Sequence, residues 1–178
     1  MHRAILVDPG FLGEYGIGKW GKAYWSSAIN HGMAQISAIL KDKGIDCSLI
    51  DFRMIKSYDN FRNLIKDNGN CWYCVTCRTI DYPIVTKAIH IIKEESPNAK
   101  VVIGGIHANL CYDDFLDNDL VDYVFLGEAD VTLPKLIMDS HSYPKMIKGQ
   151  IPNIDDSPFE DTELYDYKTS IYFRYMVE

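Results

Sequence analysis

The sequence has no apolar run near the ~20 residues that a membrane-spanning helix requires, and its first residues hold no apolar stretch long enough for a secretory signal. It also has no basic stripe. Against 25 Asp and Glu stand 18 Lys and Arg, leaving a formal net charge of −7, which counts against a phosphate-backbone partner. Internal repeats and low-complexity tracts are absent. No Ser-His-Asp order or paired-acid pattern stands out, so no catalytic residue is assigned. Together these absences predict a cytoplasmic protein with no membrane and no nucleic-acid partner. Cysteine is scarce and odd in number: the five at 47, 71, 74, 77 and 111 fit reduced thiols better than a disulfide framework. What is present is a chain of 178 residues, 47% hydrophobic, enough for one domain with its own core.

Short β-rich runs alternate with helical patterns along that chain. An apolar run over 3–7 is stopped by Asp8-Pro9-Gly10. A helix is predicted over 29–43, where Met33, Ile36 and Leu40 share a face and Gly44 suits a left-handed cap. Strand 47–50, a short helix over 58–67 and the aromatic, β-branched strand 72–76 follow. Asp81 and Pro83 open a helix carrying Ile84, Val85, Ala88, Ile89 and Ile92, which ends at Pro97. Strand 101–103 stops at Gly104-Gly105, a short helix is expected over 112–118, strand 123–126 stops at Gly127, and a last helix spans 131–138.

Near-continuous apolar strands separated by helices imply a parallel sheet covered on both faces. The predicted fold is α/β, flavodoxin-like (Rossmann-like), with five parallel strands in order 2-1-3-4-5 and helices on both faces. From Ser140 the pattern fails. The domain is therefore placed at 1–140, and 141–178 is read as a proline-punctuated linker leading into a further domain of a longer protein. Its aromatic tail over 165–178, if bare, predicts self-association or a disordered end.

In an open parallel sheet, ligands bind beyond the carboxyl ends of the strands. Loop 8–28 is long for such a connection and interleaves glycines with aromatics, as a lid on a planar ligand or a loop packed on its own sheet would. Within it, Gly16-Ile17-Gly18-Lys19-Trp20-Gly21 spells G-x-G-x-x-G. It neither follows directly on a strand nor opens a helix, so a dinucleotide reading is set aside. Cys71-x-x-Cys74-x-x-Cys77 runs along a strand, where alternation turns Cys74 away from the other two. Three thiolates then cannot converge, and no metal ligands are assigned. Cys77 at its strand's end and His107 after the Gly104-Gly105 turn are the polar candidates at the ligand edge.

The stretch Val101-Val102-Ile103-Gly104-Gly105-Ile106-His107-Ala108, followed by Val121-Asp122-Tyr123-Val124-Phe125-Leu126-Gly127-Glu128-Ala129 and Thr132-Leu133, resembles the cobalamin-binding-type domain at the front of radical S-adenosylmethionine (SAM) enzymes. There a V-x-G-G-x-H-A turn precedes a D-Y-V-x-x-G-E segment. Region 29–53 and the strand ending Val75-Thr76-Cys77-Arg78-Thr79 are similar to the same family, so the match spans 3–139.

The resemblance implies a module holding base-off cobalamin, with the nucleotide tail buried along the sheet. Implied contacts are Asp8, Gly10 and Gly13 in the first loop, and Gly104, Gly105, His107, Gly127 and Glu128 around the tail. Cys77, Arg78 and Thr79 would lie under the corrin. A downstream radical SAM barrel is the implied partner, carrying the 4Fe-4S cluster and SAM for methyl transfer or related radical chemistry. The family's C-x-x-x-C-x-x-C cluster motif is not in this chain. Nor is the cobalt-ligating histidine of D-x-H-x-x-G, since Asp8-Pro9-Gly10-Phe11-Leu12-Gly13 lacks it, and this implies no imidazole below the cobalt. The alternative is a cofactor-free scaffold that docks the barrel.

Overall fold

Local chemistry sets the helix ends. A computed structural model describes residues 2–9, 29–52, 55, 57–66, 68–69, 71–139 and 143–165. Asn30 caps helix α1 (His31–Asp42) by accepting from the Met33 amide at 3.2 Å. Gly44, at φ +72°, turns the chain out of it while the Gly44 and Ile45 amides return to the Lys41 and Leu40 carbonyls. Ser57 caps α2 (Tyr58–Ile65) in the same way as Asn30. Helix α3 (Tyr82–Glu95) follows a 3-10 turn at Thr79–Asp81 and has Pro83 in its first turn. Helix α4 (Ile106–Leu110) has no counterpart among the expected elements, and the short helix expected over 112–118 is α5 (Asp113–Leu116). Each is too short to show a helical period. Helix α6 is Thr132–Met138.

The strands are β1 (Arg3–Asp8), β2 (Asp46–Asp51), β3 (Trp72–Thr76), β4 (Lys100–Gly104), β5 (Tyr123–Leu126) and β6 (Met146–Lys148). All pair in parallel in the order β2-β1-β3-β4-β5-β6. The expected order 2-1-3-4-5 holds, with one correction: the sheet has six strands rather than five. Strand β6 has only three residues, too few for an alternating pattern, and is held by Val124 N–H to Lys145 C=O and Gly149 N–H to Leu126 C=O, both 2.7 Å. The aromatic tail beyond Tyr165 lies outside the described residues.

Strand alternation divides the core in two. Ile5, Val7, Tyr73, Val75, Val101 and Ile103 face α2 and α3, whose Phe61, Ile65, Val85 and Ile89 are buried against them. Leu6, Trp72, Cys74 and Val102 face α1 and α6 through Met33, Leu40, Leu133 and Leu136. Each such side chain contributes roughly 1.5–3 kcal/mol when fully buried. No helix among the described residues is long and apolar enough to cross a membrane.

Two polar fasteners complete the frame. Asp122 accepts from Lys93 Nζ at 2.7 Å, Lys100 Nζ at 2.9 Å and the Val101 amide at 2.9 Å, tying β5 to β4 and α3. Burial opposes its charge, but these three donors outweigh burial and hold the carboxyl below the usual range. After β6 the chain runs back along α1. Gln35 donates to the Pro158 carbonyl at 3.1 Å, and Ser37 and Lys41 donate to Asp161 at 2.6 and 2.5 Å.

Candidate functional site: a cleft at the carboxyl edge of the sheet

A cleft of about 530 Å³ opens between α1 and α6 over the carboxyl ends of β1, β3, β4 and β5. Its floor is a row of alternate side chains, Leu6 beside Cys74 and Cys74 beside Val102, continued by Phe125. This row crosses the β1–β3 junction, where strand order reverses and adjacent connections leave to opposite faces. Its rim is built from the turns after β4 and β5.

Glycine is required in both turns. Gly105 sits at φ +92°, and a Cβ there would come within 2.7 Å of Thr76 Oγ1 and 2.8 Å of the Cys77 carbonyl oxygen. That close approach lets the Cys77 amide reach the Gly104 carbonyl at 2.9 Å and the His107 amide reach the Cys77 carbonyl at 3.0 Å. Gly127, at φ +82°, has the opposite surroundings: among the described residues, nothing lies within 4 Å of where a side chain would begin. Asn109 joins the two turns, its Nδ2 donating to the Gly105 carbonyl at 2.9 Å and its Oδ1 accepting from the Gly127 amide at 2.6 Å. Sequence reasoning passed over Asn109. The available signal was its place at the end of the glycine turn that follows β4.

Gly104, Gly105, Gly127 and Glu128 line the cleft, with Asp130 beside Glu128. Burial, then the nearby Glu128 charge, raise the Asp130 carboxyl above its ordinary value. Asp8 ends β1 nearly buried, accepting from Asn30 Nδ2 and Tyr165 Oη, each at 3.4 Å. Gly10, Gly13 and the rest of the glycine–aromatic loop lie outside the described residues, as does the tail beyond Tyr165.

The remaining candidates gather on the other side of β4. Cys77 is fully buried, and its thiol donates to the Arg78 carbonyl at 3.4 Å. Arg78 is engaged by the buried Asp81 through Nε at 2.5 Å and Nη2 at 3.2 Å. The His107 side chain is 5% exposed, with Nδ1 3.2 Å from Thr79 Oγ1 and Nε2 3.0 Å from Asp114 Oδ2. Tyr82 and Phe115 pack on it at 4.9 and 5.7 Å between ring centres. The structure therefore brings Cys77, Arg78, Thr79 and His107 together, separate from the glycine-rimmed cleft.

The cysteines divide as strand alternation requires: Cys74 lies in the core under α1 and α6, while Cys71 and Cys77 lie in the core under α2 and α3. Burial pushes the Cys47 thiol up to about 11 and the Cys77 thiol up to about 12, and raises Cys71 and Cys74 as well. Such thiols stay protonated at neutral pH.

A parallel sheet with a ligand crevice at its strand-order reversal defines the class: a flavodoxin-like binding module. The family model described as the B12 binding domain matches residues 26–137. The chain belongs to that family. Two solved structures of the cobalamin-dependent S-adenosylmethionine radical enzyme OxsB share the fold. The one with aqua-cobalamin bound gives a TM-score of 0.58, and the one with aqua-cobalamin and S-adenosylmethionine bound gives 0.57. Each is 15% identical in sequence and is matched over 81% of this chain and 19% of its own length. No curated protein matches the sequence.

Proposed function

We propose that this domain holds base-off cobalamin at the carboxyl edge of its sheet and presents it to a radical SAM barrel in the full-length protein. The observation that carries this reading is the glycine-rimmed, apolar-floored cleft of about 530 Å³ between α1 and α6. The residues fit the group. The volume falls within the ~300–1,000 Å³ of small-molecule sites. Leu6, Cys74, Val102 and Phe125 offer apolar surface to the flat base of the nucleotide tail, and no atom of the described residues lies within 4 Å of where a Gly127 side chain would begin. Gly104, Gly105, Gly127 and Glu128 would border the tail. The ends of β1 and β3, with Asp8, Cys77, Arg78 and Thr79, would support the corrin, with Gly10 and Gly13 assigned to the same rim by motif.

Bound cobalamin supplies a cobalt centre able to carry a methyl group. The chain's own part is to seat the tail, orient the ring and exclude water. Both histidines near this edge have other partners: His107 through both ring nitrogens, and His31 through Glu160 at 2.8 Å. This supports a cobalt without a protein imidazole. On this reading residues 1–140 form the cobalamin module and 141–178 lead toward the barrel, where the 4Fe-4S cluster and SAM belong. The protein would be cytoplasmic and would self-associate when separated from that barrel.

Ile80, Ile106 and Leu110 are exposed after β3 and β4, and this favours one second reading, a cofactor-free scaffold that docks the barrel. Titration with hydroxocobalamin, followed by absorption and by paramagnetic resonance of the cob(II)alamin form, separates the two. Stoichiometric binding without nitrogen hyperfine splitting is expected. Splitting that disappears in His107→Ala or His31→Ala would defeat the ligand assignment, and absence of binding would leave the scaffold reading.

A further inference from the structure

Opposite the cleft, across β4, a second set of donors converges. His107 Nε2, Cys111 Sγ and a carboxylate oxygen of Asp114 all lie within 4.8 Å of one another. We infer that these three side chains form a zinc site, with water in the fourth position. The spacing H-x-x-x-C-x-x-D places the donors one and two turns apart. The Cys111 amide closes the first turn on the His107 carbonyl at 2.7 Å.

The imidazole is already oriented for this task. It packs against Tyr82 and Phe115, which also touch each other at 5.5 Å between ring centres, and Thr79 Oγ1 stands 3.2 Å from Nδ1. With the Nδ1 proton donated to Thr79, the Nε2 lone pair faces Asp114, with Cys111 Sγ within 4.8 Å. An outer hydrogen bond of this kind fixes the tautomer of most zinc-bound histidines. Nε2 stands 3.0 Å from Asp114 Oδ2, so these two donors already face each other.

One imidazole nitrogen, one thiolate and one carboxylate suit zinc better than calcium or magnesium, which take oxygen ligands. Ligands around a tetrahedral zinc at roughly 2.0–2.3 Å stand about 3.3–3.7 Å apart. Cys111 is exposed and the Asp114 side chain is 45% exposed, so both can turn the remaining distance without disturbing the core. Binding releases the Cys111 thiol proton to solvent, forms the sulfur–zinc bond and transfers no electron. The ion would lock the segment from His107 to Asp114, which includes Asn109, the residue joining the two glycine turns of the cleft. The site does not depend on cobalamin being the ligand there.

The test uses metal-free protein titrated with zinc chloride against a chromogenic chelator, with cobalt(II) as a spectroscopic probe. One metal per chain, a thiolate-to-cobalt charge-transfer band and release of one proton are expected. An outer hydrogen-bond partner is worth roughly ten- to a hundredfold in metal affinity, so Thr79→Val should weaken binding by about that factor. Cys111→Ser should abolish the band and weaken zinc by about a hundredfold or more. Both Cys111→Ser and Asp114→Asn alter exposed groups, and their circular dichroism should match the parent. No binding at micromolar zinc, or an affinity unchanged by Cys111→Ser, overturns the site.

Discussion

The two sides of β4 are built differently from the same turn. Toward α1 and α6 the carboxyl edge is open, with glycines along a cleft and space in front of Gly127. Toward α3 and α5 it is closed around His107, which is held by Thr79, Asp114, Tyr82 and Phe115. Gly104-Gly105 serves both sides: its lack of side chains leaves room on one and permits close backbone contact on the other. Substitutions that break the packing at the Gly105 turn should therefore affect stability, and those that fill the cleft should affect the ligand seated there.

Gly105 belongs to both sides and should show the largest effect. A valine there combines a φ of +92° with Cβ contacts under 3 Å to Thr76 and to the Cys77 backbone. Gly105→Val should cost about 3 kcal/mol or more, from backbone strain and overpacking together. Urea denaturation reads this directly, and a loss below about 1 kcal/mol would mean that the turn relaxes freely and the two sides are not coupled.

Asp122, in the turn before β5, tests whether fastening by charge is confined to structure. Asp122→Ala removes the partner of two lysines and an amide. Its side chain is 16% exposed, so the cost should be about 2 kcal/mol rather than the 3–5 of a fully buried pair. Because its folded value is lowered, its stabilisation is complete above the ordinary carboxylate range and is lost as pH falls through the folded value. The Ala variant should lack that part of the acid-side slope in denaturation curves, with cobalamin affinity unchanged.

Gly104 sharpens the comparison from the open side. A Cβ there meets only Phe125 Cβ, at 3.9 Å, so Gly104→Leu should change stability by less than about 1 kcal/mol. It places a side chain in the cleft, and affinity for hydroxocobalamin should fall at least about tenfold, or 1.4 kcal/mol. Equal affinity would remove the tail from this cleft. The smallest effect concerns the thiols. At pH 8 the native protein should lose Cys111 to iodoacetamide first, with Cys47, Cys71, Cys74 and Cys77 reacting only after denaturation, as peptide mapping would show.

Much of the fold was legible because its signals are local. Asn30, Ser57, Gly44 and Pro83 mark helix ends by chemistry within a few residues, and strands 72–76, 101–103 and 123–126 are continuous apolar runs between turn residues. The split of Cys74 from Cys71 and Cys77 follows from the two-residue period alone. Helix α4, with five residues, and β6, with three, fall below the length at which a period can be recognised. The site was legible only as an edge. Gly104, Gly105, Gly127 and Glu128 are at the cleft, whereas Asn109, Cys111 and Asp114 acquire their significance from neighbours that folding supplies.

The sequence by itself determined the β-α alternation, a sheet covered on both faces and the glycine turns that mark the family, because periodicity and backbone permissiveness are properties of short segments. Only the tertiary structure decided which way His107 faces. It leaves the sheet two residues beyond a glycine at φ +92°, and its direction is set by the packing of Tyr82, Phe115, Thr79 and Asp114 from other segments. The cleft likewise exists because α1 and α6, about a hundred residues apart in the chain, flank the same row of side chains. Contacts between distant segments have no local signature, so the side of the sheet on which each edge residue works is fixed by packing.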